Sequence, residues 1–133
     1  MRELDQSKHS LDKIFEREKA NYSVKKLLSE FHEKLIASLE ERNSIVTSRT
    51  HKYGITYFCD NNQKKAFLFI NIRPEFLSLK FYTGDKSIYG IAKGICVNRD
   101  DQKGSEPYPI QSELDMNKAI IYSLDAYKIA STT

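Results

Sequence analysis

The sequence lacks any long apolar segment. No run approaches the roughly 18 to 20 apolar residues that a membrane helix needs. The first ten residues, MRELDQSKHS, lack the apolar stretch of a secretory signal peptide. We therefore expect a soluble, cytoplasmic protein that does not bind a membrane.

Cysteine and the common ligand-binding motifs are also scarce. Cys59 and Cys96 are the only cysteines, they do not form a CxxC pair, and no histidine stands near them at zinc-ligand spacing. Neither G-x-x-x-x-G-K-[ST] nor G-x-G-x-x-G is present to hold a phosphate group. We expect two free thiols, no metal site and no cofactor.

The composition indicates one ordinary folded domain. The chain has 133 residues, of which 40% are hydrophobic, enough for one core. Its net charge of +3 is mildly basic. A charge of this size does not by itself indicate nucleic-acid binding.

The first third of the chain has helical periodicity. Apolar residues recur three or four apart from Ser23, which can cap the helix, to about Arg42 and Asn43. The stripe consists of Val24, Leu27, Leu28, Phe31, Leu35 and Leu39. A weaker pattern behind Ser10 contains Leu11, Ile14 and Phe15. We interpret residues 1–22 as an arm or a short helix, and residues 23–133 as a single domain.

The middle of the chain changes to strand patterns. SIVTSRT, YGITYFCD, KKAFLFINIR and FLSLKFYTG are short, rich in β-branched and aromatic residues, and separated by turn residues. Connections this short predict antiparallel neighbours in a meander. The glycines and prolines that follow indicate loops around one or two further short strands, at residues 95–97 and 108–110.

The chain ends in a second helical pattern. Ser112 and Asp115 fit a capping box for a helix from Glu113 to about Ile129. Its apolar stripe consists of Met116, Ala119, Ile120, Ser123, Leu124 and Tyr127. The predicted fold class is α+β, an antiparallel β meander of about four to six strands with an N-terminal and a C-terminal helix packed on one face.

A family resemblance rests on two stretches, KAFLFINIRPEFLSLKF and IQSELDMNKAIIYSLDAYKIA. Together with the first helix they resemble a small uncharacterised bacterial domain labelled predicted transport protein and found attached to restriction-type nucleases. The pattern is more loosely similar to the MmcQ/YjbR fold group. The resemblance implies an α+β fold and an association with a nuclease or a defence system, and it implies no catalytic residues.

Two catalytic arrangements can be compared with the residues present. A restriction-type nuclease needs an acidic residue and an E-x-K on adjacent strands, but Glu75 and Lys80 are five apart and Asp60 falls in a turn. Cys59 and His51 could form a nucleophile and its base, but no third residue is evident to orient the histidine. We therefore expect that the protein is not an enzyme.

The hairpin around Arg73 and Pro74 gives the best functional candidate. Strand alternation places Ala66, Leu68, Ile70 and Ile72 on a core face, which Leu77, Leu79 and Phe81 of the paired strand are expected to share. The other face is then expected to carry the predicted binding residues Phe67, Phe69, Arg73, Lys80 and Tyr82. Aromatic rings beside basic residues on a sheet can stack unpaired bases, as in RNA-recognition modules.

Two functions follow from this face. The first is a nonenzymatic module that binds nucleic acid. The alternative is a protein-interaction or homodimerisation domain, with Phe67 and Phe69 beneath a helix or in a subunit interface and Arg73 and Lys80 at its rim.

Overall fold

The computed structural model of the protein describes residues 4–60, 65–81 and 108–132. It contains the helices α1 (Leu11–Glu18), α2 (Tyr22–Glu41) and α3 (Glu113–Ser131). The strands are β1 (Leu4–Asp5), β2 (Val46–His51), β3 (Gly54–Cys59), β4 (Ala66–Ile72), β5 (Leu77–Phe81) and β6 (Tyr108–Ile110). The predicted α+β class is confirmed.

The six strands form one sheet in the order in which they occur along the chain. Strands β2 to β6 pair antiparallel with their neighbours, as predicted for a meander. The two-residue β1 was not predicted and pairs parallel with β2, placing Asp5 beside Arg49. The strand predicted at residues 95–97 lies outside the described residues.

Helix α2 begins two residues earlier than the sequence predicted. Asn21, not Ser23, is the N-cap, and its side-chain oxygen accepts a hydrogen bond of 3.0 Å from the Val24 N–H. Both residue types are good N-caps. The prediction failed because Tyr22, the first helical residue, is 79% exposed and so adds nothing to the apolar stripe.

Helix α3 begins where it was predicted and extends two residues further, to Ser131. The hydroxyl oxygen of Ser112 accepts a hydrogen bond of 3.2 Å from the Asp115 N–H. The Asp115 carboxylate accepts a hydrogen bond of 3.1 Å from the Gln111 N–H. In a standard capping box the donor is the N–H of the N-cap residue, which here is Ser112, so this contact is displaced by one residue. No described helix is long and apolar enough to cross a membrane.

The N-terminal segment is part of the same folded unit. Leu11, Ile14 and Phe15 of α1 are buried in the same apolar cluster as α2 and α3. The ammonium group of Lys25 on α2 lies 5.7 Å from the centre of the Phe15 ring. Helix α1 therefore packs on the same core as α2 and α3.

The core lies between the helices and one face of the sheet, here called the helix-covered face. The predicted core residues of α2, β4 and β5 that are fully buried include Leu28, Phe31, Leu35, Leu68, Ile70 and Leu79. Ile120 and Leu124 of α3 are partly buried against the same cluster. Polar contacts also cross this layer: the Tyr57 hydroxyl lies 2.8 Å from His32 Nδ1, and the Tyr127 hydroxyl donates to the Ile45 carbonyl at 2.7 Å.

Phe67 lies in this core, which corrects its predicted place on the opposite face. The pairing of β3 with β4 runs from Tyr57 opposite Leu68 to Phe58 opposite Ala66, so Phe67 is an extra residue at an irregularity. An inserted residue breaks the strict alternation of side chains. The Phe67 ring is fully buried and packs against Tyr57 and edge-on against Tyr127, with ring centres 6.3 and 5.2 Å apart.

Candidate functional site

The other side of the sheet, here called the second face, carries the candidate site. Its residues alternate with the core residues along β2 to β5, and none belongs to the buried apolar cluster. All three described helices contribute to that cluster on the opposite side. The second face includes Arg49, His51, Thr56, Phe58, Phe69, Asn71, Ser78 and Lys80.

A row of four side chains crosses the second face. The register pairs Arg49 with Thr56, Thr56 with Phe69, and Phe69 with Lys80. Neighbouring strands are about 4.8 Å apart, so the row is roughly 14 Å long. Arg49, Phe69 and Lys80 are each partly exposed, whereas Thr56 is 5% exposed. A cation thus stands at each end of the row, with an aromatic ring between them.

A second cross-strand row depends on a glycine. Gly54 on β3 pairs with His51 of β2 on one side and with Asn71 of β4 on the other. Because Gly54 has no side chain, the imidazole of His51 passes over β3 and places its Nε2 atom 3.0 Å from Asn71 Oδ1. The Gly54 backbone also lies so close to β4 that an added Cβ would be 1.9 Å from the Ile70 carbonyl oxygen.

His51 is held at both ring nitrogens. Its Nδ1 atom lies 2.8 Å from the Thr56 hydroxyl, and its Nε2 atom faces the Asn71 amide oxygen. A neutral ring with its proton on Nε2 satisfies both contacts, because the hydroxyl can donate to Nδ1. Burial lowers the pKa of His51, and the positive charge of Arg49 also acts in that direction. The ring is therefore neutral at pH 7.

Two aromatic pairs are formed by residues of this face. The centres of the His51 and Phe69 rings are 6.4 Å apart, at an angle of 59°. The guanidinium carbon of Arg49 lies 5.1 Å from the centre of the Phe58 ring, within the distance of a cation–π contact. Phe58 is only 4% exposed, so the Phe69 and His51 rings offer more aromatic surface to a ligand.

The charges of the central strands have one sign. Arg49 and Lys80 are the only formally charged residues in β2 to β5, and both belong to the second face. Asp5 on β1 lies at the margin, opposite Arg49. The two formal charges that β2 to β5 place on this face are therefore both positive.

The five predicted binding residues have separate locations. Phe69 and Lys80 lie side by side on the second face, whereas Phe67 is buried on the helix-covered face. Arg73 is exposed in the loop between β4 and β5, where its N–H donates to the Phe76 carbonyl at 3.0 Å. Tyr82 lies outside the described residues.

Cys59 is separated from His51 by the sheet. Its thiol lies on the helix-covered face, 3.7 Å from the Tyr127 carbonyl oxygen, while His51 is on the second face. Burial, together with the negative charge of Asp60, raises the pKa of Cys59 to about 12. Cys59 is a free, buried thiol, and the nucleophile and base suggested by the sequence do not meet.

Two contributors to this face, Arg49 and His51, were missed from the sequence, whereas strand alternation in β4 already predicts Asn71 on the same side as Phe69. Strand alternation in SRTH already places Arg49 and His51 on one side. Their partners lie on other strands and depend on the register, which this local pattern does not give. Within the described residues, no group of three or more histidine, cysteine or acidic side chains could hold a metal ion.

Comparison of the chain with protein-family models, curated proteins and solved structures finds no match. The functional argument therefore rests on the residues themselves.

Proposed function

We propose that the protein is a nonenzymatic module that binds single-stranded nucleic acid on the second face of its sheet. One observation carries the proposal: the fixed His51 ring lies beside Phe69, and Phe69 stands in the row between Arg49 and Lys80. The two stacking rings in this proposal are Phe69 and His51, whereas the sequence predicted Phe67 and Phe69.

The rings supply base stacking. Phenylalanine and histidine both stack on unpaired bases in RNA-binding proteins. Hydrogen bonds with Thr56, which donates to Nδ1, and with Asn71, which accepts from Nε2–H, hold the His51 ring in one orientation before any ligand arrives. A ring that is already ordered loses less conformational freedom on binding. Bases paired in a duplex are already stacked on one another, so this face favours a single strand.

The cations supply phosphate contacts. Arg49 and Lys80 are separated by the width of three strand spacings, about 14 Å, with Phe69 between them. A strand whose bases lie on Phe69 and His51 can therefore place backbone phosphates toward both ends of the row. Such contacts release counterions and make the affinity depend on salt concentration.

The same charges argue against homodimerisation through this face. A two-fold dimer brings one patch against its own copy. The central strands would then bring Arg49 and Lys80 together with their copies, and β2 to β5 contain no acidic residue to balance them. Like charges facing each other in an interface cost free energy. A negatively charged nucleic acid therefore complements this face better than a second copy of the protein does.

Thr56, His51 and Asn71 are hydrogen-bonded in series, as a nucleophile, its base and the group that orients the base are in some enzymes. We assign them a binding role for two reasons. Thr56 is 5% exposed, and β3 pairs with a strand on each side. Its backbone N–H groups are used by the sheet and do not form an oxyanion hole. The network therefore orients His51.

The test is binding of a labelled single-stranded oligonucleotide, measured by fluorescence anisotropy with the wild type and two variants. Phe69→Leu keeps an apolar side chain but removes the aromatic ring, and we expect it to weaken binding about 5-fold to 100-fold. Tyr22→Leu, at an exposed aromatic on α2, is the matched control and should leave the affinity unchanged.

Equal affinities for the wild type and Phe69→Leu would contradict the proposal. Light scattering on the same samples tests the alternative function. A wild-type dimer that Phe69→Leu converts to monomer, without any oligonucleotide binding, would establish the interaction domain instead.

A further inference from the structure

The side-chain amide of Asn71 has one occupied end and one open end. Its Oδ1 atom lies 3.0 Å from His51 Nε2. Because the Thr56 hydroxyl, 2.8 Å from Nδ1, donates to that nitrogen, the ring carries its proton on Nε2 and donates it to Asn71. The His51 ring thus fixes the orientation of the amide, with its oxygen toward the ring and its NH2 group away from it.

The NH2 group of Asn71 is open to a ligand. It has no hydrogen-bond partner within the described part of the chain. Every buried side-chain nitrogen or oxygen that the structure describes has a partner, so the unpartnered Nδ2 atom must reach solvent. An amide NH2 group donates hydrogen bonds and does not accept them. Asn71 therefore presents a hydrogen-bond donor on the second face.

This donor lies beside the stacking rings. Asn71 and Phe69 are two residues apart on the same side of β4, which is about 7 Å along the strand. The His51 ring, to which Asn71 is hydrogen-bonded, has its centre 6.4 Å from the centre of the Phe69 ring. A base that lies on Phe69 therefore has an edge within reach of the Asn71 amide.

The other polar neighbours of Phe69 do not add an acceptor. Lys80, which is opposite Phe69 on β5, is a cation and can only donate. Thr56, opposite Phe69 on β3, is 5% exposed, and Ser78, opposite Asn71, is 3% exposed. The side chains that the structure describes around Phe69 thus offer a base hydrogen-bond donors and no accessible acceptor.

We propose that Asn71 selects the base on Phe69, favouring a base with a keto oxygen over one with an amino group at the equivalent position. The inference rests on the proposed function and adds a base preference to it. The keto oxygens O6 of guanine and O4 of uracil or thymine accept a hydrogen bond, whereas the amino groups N6 of adenine and N4 of cytosine donate one. An amino group that faces the Asn71 NH2 group would bring two donors together.

The contact with His51 also distinguishes this asparagine from one that reads adenine. Asparagine recognises adenine through two hydrogen bonds, accepting from N6 and donating to N7. In this protein the amide oxygen is already held by the Nε2–H of His51. Asn71 is left with its donor, which matches a keto oxygen.

The experiment compares single strands that differ only in this group, by fluorescence anisotropy at neutral pH. Oligodeoxyuridine and oligodeoxycytidine of equal length form one pair. The other pair is one mixed sequence with adenine and the same sequence with hypoxanthine, which has a keto oxygen in place of the adenine amino group. Wild-type protein is expected to bind the keto member of each pair about 2-fold to 10-fold more tightly, the net effect of one hydrogen bond.

Two variants test whether Asn71 is the source of the preference. Asn71→Leu keeps the size of the side chain but removes the donor, and it should bind both members of each pair equally. It also removes a partner of His51, so the control is Thr56→Val, which releases the other ring nitrogen and leaves Asn71 in place. Thr56→Val should weaken binding of both members by the same factor and keep the keto preference.

The outcomes separate this inference from the proposed function. Wild-type binding without a keto preference, or with a preference for the amino member, would overturn the inference and leave the proposed function in place, whether or not Asn71→Leu folds. A keto preference that persists in Asn71→Leu would also overturn the role of Asn71. Absence of binding to all four strands would overturn the proposed function and this inference with it.

Discussion

His51 and Asn71 are joined across an intervening strand: Nε2 of one lies 3.0 Å from Oδ1 of the other, although β2 and β4 do not pair. The contact exists because Gly54 of β3 lies between them without a side chain. Gly54 therefore has two effects, which are close packing of β3 on β4 and an ordered histidine on the second face.

Gly54→Ala is expected to destabilise the protein severely. The new Cβ would be 1.9 Å from the Ile70 carbonyl oxygen, so the backbone of two central strands must shift. We expect a loss of about 3 kcal/mol or more in the free energy of unfolding. Urea denaturation measures it, with Ser29→Ala on the exposed side of α2 as the control. A loss below about 1 kcal/mol would show that β3 and β4 are not this close.

Phe67 and Phe69 should respond differently to truncation. Phe67→Ala removes a fully buried ring between Tyr57 and Tyr127, and should cost about 3 to 5 kcal/mol. Phe69→Ala should cost less than about 2 kcal/mol, because its ring already contacts water in part. If Phe69→Ala instead lowers the free energy of urea unfolding more than Phe67→Ala does, the side of β4 that carries Phe69 must face the helices.

The pH dependence of stability should contain a contribution from His51. Burial lowers its pKa in the folded protein below the ordinary value of 6.5, so at mildly acidic pH the unfolded chain binds a proton more readily. The stabilisation from neutral His51 is complete above pH 6.5 and is lost as the pH falls toward the folded-state pKa. His51→Gln should reduce the fall in unfolding free energy between pH 7 and pH 5, whereas the control Lys118→Gln, on the exposed side of α3, should keep it. Parallel curves for wild type and His51→Gln would contradict this account.

Much of the fold follows from local periodicity. The stripe from Val24 to Leu39 identified α2, and alternation in β4 and β5 identified the core residues Leu68, Ile70 and Leu79. These signals are strong because each buried residue recurs at a fixed spacing. The two residues of β1 are too few for a period, so β1 was missed.

The site was less predictable, because its relationships are between strands. One extra residue in β4 places Phe67 in the core, and nothing in AFLFINI marks the position of the irregularity. The contact of His51 with Asn71 depends on the register of three strands. Phe69 and Lys80 were found because their hairpin is short and its alternation is regular.

Cys59 should be unreactive in the native protein. The thiolate is the reactive form, and with a pKa of about 12 only about one part in ten thousand is thiolate at pH 8. In a Cys96→Ser variant, a thiol reagent should therefore label Cys59 slowly until denaturant is added, and then label one thiol per chain. Fast labelling of the folded variant would show that Cys59 is accessible. In unreduced wild type, the absence of any reactive thiol after denaturation would instead indicate a disulfide.

The most direct test of the central claim is the salt dependence of single-strand binding, compared between wild type and Lys80→Gln. Each phosphate contact contributes about 0.7 to the slope of log affinity against log salt concentration for a single strand. Lys80→Gln should reduce the slope by about this amount, whereas Lys118→Gln on α3, which packs on the opposite side of the sheet, should leave it unchanged. A wild-type affinity that does not fall with salt, or the same slope in all three proteins, would contradict nucleic-acid binding on this face.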